Sequence, residues 1–272
     1  MSPKPVQRLE KTLARVAREQ GVDQERLRRW ISFLALCGVL ERAVGLHLLE
    51  SYYLKGGVAM ELRFAAAARA TKDLDLGLKG NRIARMQAFE KTLRLGFDEF
   101  AFRLKPKVRQ MDMADTVRAE VAIQYRTRAW QTIEVDLGPA GTEEIDLVHP
   151  AVPGLVEMNL AVPSPVRCLG INEQVAQKLH ACTGPAAAGR ARDILDILLL
   201  ETLGKLDRKR VQSAAKRIFK QRNTHAFPPT FELPVAWGPE LEILARDLEF
   251  PITTAAEIEE RFRAILIGII EG

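Results

Sequence analysis

The chain has 272 residues, 47% of them hydrophobic and 28% charged, with a formal net charge of +5, which describes a globular protein of one or two domains with a real core. Three widely spaced cysteines, Cys37, Cys168 and Cys182, exclude a disulfide framework and a zinc-ligand spacing and fit a reducing cytoplasm; the charged helical N-terminus and the short apolar stretch at 264–270 exclude a signal peptide and a membrane span. The positive charge permits an anionic partner such as nucleic acid without requiring one.

Residues 6 to about 45 read as helices. Leu9, Leu13, Val16 and Ala17 share a face, Gly21 stops the first helix, Asp23 caps the second, and Trp30, Phe33, Leu34, Cys37 and Leu40 continue at helical spacing. The middle third changes period. Residues 73–78 alternate charged and apolar as a half-buried strand does; Val117, Ala119, Val121, Ile123 and Tyr125 alternate again, and so do Ile133, Val135 and Leu137. Residues 126–129 read as a hairpin turn that lacks Asn-Gly, and 145–148 as another short strand. From Asn172 the pattern is helical: Asn172 caps a helix that Gly184-Pro185 ends, others follow over about 190–203 and 208–220, and two more lie beyond a proline-rich loop at 227–239. Strands in the middle and helices at both ends predict an α+β fold, with a small mixed sheet flanked by helices, and argue against a doubly wound parallel sheet. The division expected is 1–165 for the N-terminal helices and core, and 166–272 for a C-terminal helical domain.

The chemistry concentrates in residues 54–78, LKGGVAMELRFAAAARATKDLDLGL. Gly56-Gly57 precedes an apolar helical run, and glycines there let backbone N–H groups approach a phosphate at a helix N-terminus. Alone, such a pair reads more simply as a tight turn. In Asp73-Leu74-Asp75 the period of two puts both carboxylates on one face, with Leu74, Leu76 and Leu78 on the other. Two hard oxygen donors suit Mg²⁺ or Mn²⁺; a solvated strand face gives the same pattern, and sugar transferases use it too. The order of glycine pair, helix and D-x-D strand favours the metal. Asp136, with Glu134 on the same face of a second strand, is either a third metal carboxylate or the wet side of a sheet. Thr71, two residues before Asp73, should share the aspartates' face.

In NEQVAQKLHACTG, Val175, Leu179 and Cys182 form a buried stripe with Lys178 beside it, and GRARDILDILLLETLG puts Asp193 and Asp196 on a common face. An ion pair between Lys178 and Asp193 either holds two helices together or lets Lys178 contact a triphosphate that Asp193 orients. His180 lies on another face and reads as a surface or packing residue. Lys216, Arg217 and Lys220, in a basic run near Phe219, Phe227 and Trp237, read as an RNA-binding surface or as a solvated helix.

In consistent order over about residues 50–200, LKGGVAMELRF…ARATKDLDLGL, TIEVDLG, NEQVAQKLHA and GRARDILDI resemble the AbiEii/AbiGii-type toxin nucleotidyltransferases, the toxin halves of bacterial type IV toxin–antitoxin pairs. The resemblance implies a polymerase-β-like core with appended helices. It implies transfer of a nucleoside monophosphate from a nucleoside triphosphate, with Mg²⁺ or Mn²⁺ as cofactor. It matches Gly56 and Gly57 to the glycine motif, Asp73 and Asp75 to metal carboxylates, Asp136 to the third of these, and Lys178 and Asp193 to two C-terminal motifs. Asp73, Lys178 and Asp193 would then serve catalysis, and Lys55, Gly56, Gly57, Arg69, Thr71, Lys178 and Arg190 would hold the triphosphate. The partners implied are the triphosphate, an RNA acceptor (the 3′ end of transfer RNA in some members) contacted by Lys216, Arg217 and Lys220, and a cognate antitoxin encoded nearby. One departure is the alanine-rich segment 65–70, which lengthens the helix before Asp73. The alternatives are nucleotidylation of a protein, an inactive binding module that keeps the fold, and a D-x-D sugar transferase, which needs a larger sheet.

Overall fold

A computed structural model describes residues 5–111, 115–141, 143–161, 163 and 165–272. The chain divides into two units, Met1–Cys168 and Leu169–Gly272. In the first, helix α1 (Pro5–Glu19) buries Leu9, Leu13, Val16 and Ala17 and stops before Gly21, whose φ is +63°. Asp23 caps α2 (Gln24–Gly45) by accepting the Arg26 N–H at 2.8 Å. Every residue of α2 from 30 to 40 is buried, which makes it the central helix of the core rather than an amphipathic surface one.

Among the described residues seven strands form one mixed sheet in the order β3-β4-β5-β2-β1-β7-β6. They are β1 (Tyr52–Lys55), β2 (Asp73–Leu78), β3 (Phe100–Met111), β4 (Thr116–Tyr125), β5 (Arg128–Pro139), β6 (Ile145–Val148) and β7 (Val166–Leu169). β2 runs parallel to β5 and antiparallel to β1; β3, β4 and β5 form an antiparallel meander. The sheet's apolar face follows the period of two: Leu74, Leu76 and Leu78, Val117, Ala119, Val121 and Ile123, and Ile133, Val135 and Leu137 are all buried. Burial of each large aliphatic side chain stabilises the fold by about 1.5–3 kcal/mol. One polar junction ties α2 to the sheet: Ser32 donates to Gln131 Oε1 at 2.8 Å and accepts from Trp130 Nε1 at 3.0 Å.

Helix α3 (Gly56–Phe64) joins β1 to β2, and α4 (Arg82–Leu93) joins β2 to β3. The alanine-rich segment does not prolong α3. Ala65 turns to a φ of +47° and a short 3₁₀ turn, Ala65–Ala67, follows. Arg26 fastens this stretch by donating to the carbonyls of Ala65 and Ala68.

The second unit is helical: α5 (Ile171–Thr183), α6 (Ala191–Leu203), α7 (Arg208–Arg222), α8 (Gly238–Asp247) and α9 (Ala255–Glu271). Its core includes Val175, Leu179, Ile194, Leu198, Val211, Ile218, Leu241 and Phe262. Asn172 is not the cap of α5. Gly170 occupies that position, and Asn172 Oδ1 instead accepts the Asp207 N–H at 3.0 Å, fixing the start of α7. Among the described residues no helix is long and apolar enough to cross a membrane.

Candidate active site

The polar face of the sheet carries one cross-strand row. Lys55 on β1 lies opposite Asp75 on β2, Asp75 opposite Asp136 on β5, and Asp136 opposite Arg118 on β4. Directly opposed residues on neighbouring strands project to the same side, so two carboxylates stand between two cations. The next row holds Asp73 opposite Glu134, and Glu134 opposite Glu120. Arg118 forms a two-pronged bond with Asp136, Nε to Oδ1 at 2.8 Å and Nη2 to Oδ2 at 2.7 Å. The same guanidinium lies 3.6 Å from Asp73 Oδ2 and 3.4 Å from Glu134 Oε2. The Asp136 bond, and then the charges of Asp73 and Glu134, hold the Arg118 pKa above its ordinary value.

The glycine pair belongs to this face. Gly56, at φ +63°, lies so close to Asp75 that a Cβ on it would overlap the carboxylate oxygen Oδ2. A Cβ on Gly57 would come within 2.8 Å of the Thr71 Oγ1. Lys55 runs over Gly138, where a Cβ would meet its Nζ. Thr71 lies ahead of β2, which starts at Asp73, so strand alternation does not set its side chain beside the aspartates. Its N–H donates to Glu61 Oε2 at 3.1 Å, and Glu61 Oε1 accepts from Arg26 Nε at 2.7 Å. Burial raises the Glu61 pKa, and the bonds to Arg26 and Thr71 oppose that rise. Arg69 is partly exposed in the same segment.

In the second unit, buried Lys178 donates to both aspartates of α6, Asp193 Oδ1 at 2.8 Å and Asp196 Oδ2 at 2.6 Å. Exposed Arg190 approaches Asp193 Oδ2 at 3.5 Å. Lys216, Phe219, Lys220, Asn223, Thr224, His225 and Phe227 line an open cavity of about 460 Å³. Arg217 is not with them: it is paired with Glu173 of α5. His180 is buried edge-on against Phe219, with ring centroids 4.8 Å apart, and is a packing residue.

The model of the nucleotidyl transferase AbiEii toxin family, from type IV toxin–antitoxin systems, matches residues 39–268. The chain belongs to this family. It is a nucleotidyltransferase of the toxin kind, whose substrate class is a nucleoside triphosphate and whose natural counterpart is an antitoxin. Its fold is shared with MenT4, a nucleotidyltransferase toxin from Mycobacterium tuberculosis H37Rv, over 97% of this chain and 90% of that one, at 14% identity and a TM-score of 0.60. The antibiotic-resistance factor ANT(2″)-Ia overlaps 71% of this chain and 93% of its own length, at 18% identity and a TM-score of 0.39. No curated protein sequence matches the chain.

The donor chemistry of the toxin's polar face fits a hard divalent ion. Asp73 and Asp75 share a side, Asp136 is the register partner of Asp75, and Gly56 leaves the space that the Asp75 carboxylate fills. As the side chains stand, no three His, Cys, Asp or Glu residues among those described gather closely enough to hold a metal. Asp136 has both oxygens in the Arg118 fork instead. Arg118, like Glu120, is a residue of this face that the sequence patterns did not single out. Its signal was available: in TVRAEVAIQY it alternates with buried Val117 and Ala119, on the side of the carboxylates.

Proposed function

We propose that this toxin uses the face of β2 and β5 to transfer a nucleoside monophosphate from a triphosphate to RNA, with the 3′ end of transfer RNA as acceptor. The observation that carries the reading is the pairing of Asp75 with Asp136 beside Asp73, with Gly56 packed on the Asp75 carboxylate and Gly57 on Thr71. In the reaction an acceptor hydroxyl oxygen bonds to the α-phosphorus and gives up its proton to solvent, the bond from that phosphorus to the bridging oxygen breaks, and pyrophosphate leaves with the electron pair. Asp73, Asp75 and Asp136 would hold Mg²⁺ or Mn²⁺, which when bound offsets the charge of the phosphates. Backbone N–H groups at Gly56 and Gly57 start α3 and face an anion favourably. Lys55, Arg69 and Thr71 flank the same strand. By resemblance to the family's C-terminal motifs, Lys178 and Asp193 would serve the triphosphate, and Arg190, close to Asp193, would add positive charge.

The RNA acceptor is supported by the cavity on α7. Lys216 and Lys220 supply phosphate-binding charge, and the partly exposed ring of Phe227, backed edge-on by buried Phe219 at 5.4 Å, offers a stacking surface for an unpaired base. Arg217, engaged by Glu173, contributes through α5–α7 packing rather than through phosphate. A cytoplasmic site of action fits an RNA substrate and a chain with three widely spaced cysteines.

The test is incubation with Mg²⁺, each α-labelled triphosphate in turn, and small RNA together with lysate protein. Label on RNA, removed by ribonuclease and lost when Lys216 and Lys220 are neutralised together, is the expected result. Protease-sensitive label that survives ribonuclease moves the acceptor to a protein and leaves the transferase intact.

A further inference from the structure

We propose that Arg118 is a built-in counter-ion that holds Asp136 in the metal-free toxin and must let go of it for a divalent ion to be bound, which makes Arg118 a positioning residue for metal loading. The inference rests on the metal reading of Asp73, Asp75 and Asp136 given above. Four carboxylates, Asp73, Asp75, Glu134 and Asp136, stand on neighbouring strands of one face, and unscreened they repel one another. Arg118 answers three of them at once, at 2.7 Å from Asp136, 3.6 Å from Asp73 and 3.4 Å from Glu134. Its planar fork takes both oxygens of Asp136. A small octahedral cation needs an oxygen of the same carboxylate at about 2.0–2.1 Å, and a guanidinium on that carboxylate opposes it by charge as well as by space. The two cations therefore compete for Asp136.

The backbone of Arg118 is fixed by the register with Asp136, so release is a movement of the side chain alone. Glu134, on the same face and partly exposed, already lies within ion-pair reach and receives the guanidinium when Asp136 is vacated. Arg118 thereby stays beside the site in both states. This accounts for a face with the donors of a metal site in which no three acidic side chains converge.

The experiment measures Mn²⁺ binding without nucleotide, by the electron paramagnetic signal of the free ion, on the full chain. The wild type is compared with Arg118→Gln, which removes the charge, and Arg118→Lys, which keeps the charge and loses the fork. Arg118→Gln is expected to bind Mn²⁺ about tenfold more tightly or better, with Arg118→Lys between the two. Unchanged or weaker affinity of Arg118→Gln, while Asp73→Asn abolishes binding in the wild-type background, overturns the role of Arg118 and keeps the metal site. Absence of Asp73-dependent binding in both overturns the metal reading and this proposal with it. A second measurement needs no variant: in the wild type the Arg118 Nε–H resonance should move on addition of saturating Mg²⁺, and a resonance that stays in place contradicts the proposal.

Discussion

Gly56 sits in the left-handed region at φ +63° with its α-carbon against the Asp75 carboxylate, so its missing side chain is a requirement of the site and not only of a turn. Gly56→Ala adds a Cβ where Asp75 Oδ2 lies and strains the backbone by about 1–2 kcal/mol. The expected outcome is a melting point lower by a few degrees and nucleotide transfer reduced at least about a hundredfold, read by calorimetry and by label transfer. Wild-type transfer by this variant would show that the position of the Asp75 carboxylate does not matter. The shared face of Asp73 and Asp75 and its apolar opposite were legible from alternation alone, because a strand period is fixed by backbone geometry. Arg118 was not. A plain two-residue hairpin after Tyr125 would set it opposite Val135; the bulge at Trp130 shifts the register by one place and brings it opposite Asp136. No composition or turn signal announces that extra residue.

Helices α5, α6 and α7 show how side chains of one element secure another. Lys178 binds two aspartates that are 5% and 2% exposed, so its removal strands buried carboxylates rather than only deleting a contact. Lys178→Ala is expected to cost about 3–5 kcal/mol in urea unfolding, whatever its effect on transfer. A loss under about 1 kcal/mol would mean that the cluster is not structural. Between α5 and α7 a relay of hydrogen bonds has a fixed direction. The Thr183 hydroxyl donates to Leu179 O, so it accepts from His225 Nε2; Thr224 then donates to His225 Nδ1 and accepts from His180 Nε2, and Arg222 donates to His180 Nδ1. Both imidazoles are neutral in this arrangement. Burial, then Arg222 and His225, push the His180 pKa down to about 4, below its ordinary 6.5. A lowered histidine pKa means that the unfolded chain binds the extra proton first, so this stability is complete above about pH 6.5 and is lost as pH falls toward 4. Urea midpoints measured from pH 7 to pH 4 should fall for the wild type and fall less for His180→Gln; parallel curves would contradict the relay.

Element boundaries were legible where a cap or a period marks them: α2 after Asp23, β2 at Asp73–Leu78, β6, and α5 up to Gly184. Four elements left weaker traces. β1 and β7 are short central strands without alternation, and α4 has a mixed face. β3 carries Pro106 at an irregularity between Leu104 and Val108, which an edge strand tolerates because no ladder bond is needed from proline there.

At the scale of the whole chain, the match over residues 39–268 makes the protein a toxin of the AbiEii family, and the common fold with MenT4 at 14% identity shows how little of the sequence the architecture demands. A net charge of +5 is consistent with an RNA acceptor, and under the proposed function the cavity with Lys216, Lys220 and Phe227, not the charge total, is where RNA would bind. Acceptor binding through those lysines should weaken steeply with salt, whereas loading of the triphosphate on the β2–β5 face should respond to the acidic residues there. The central claim is that this carboxylate face carries the chemistry. It is tested most directly by single-turnover transfer of α-labelled triphosphate to small RNA by Asp75→Asn, with its melting point measured alongside. The account predicts a folded protein whose transfer is slower by about 10³-fold or more; transfer within about tenfold of the wild type would contradict it.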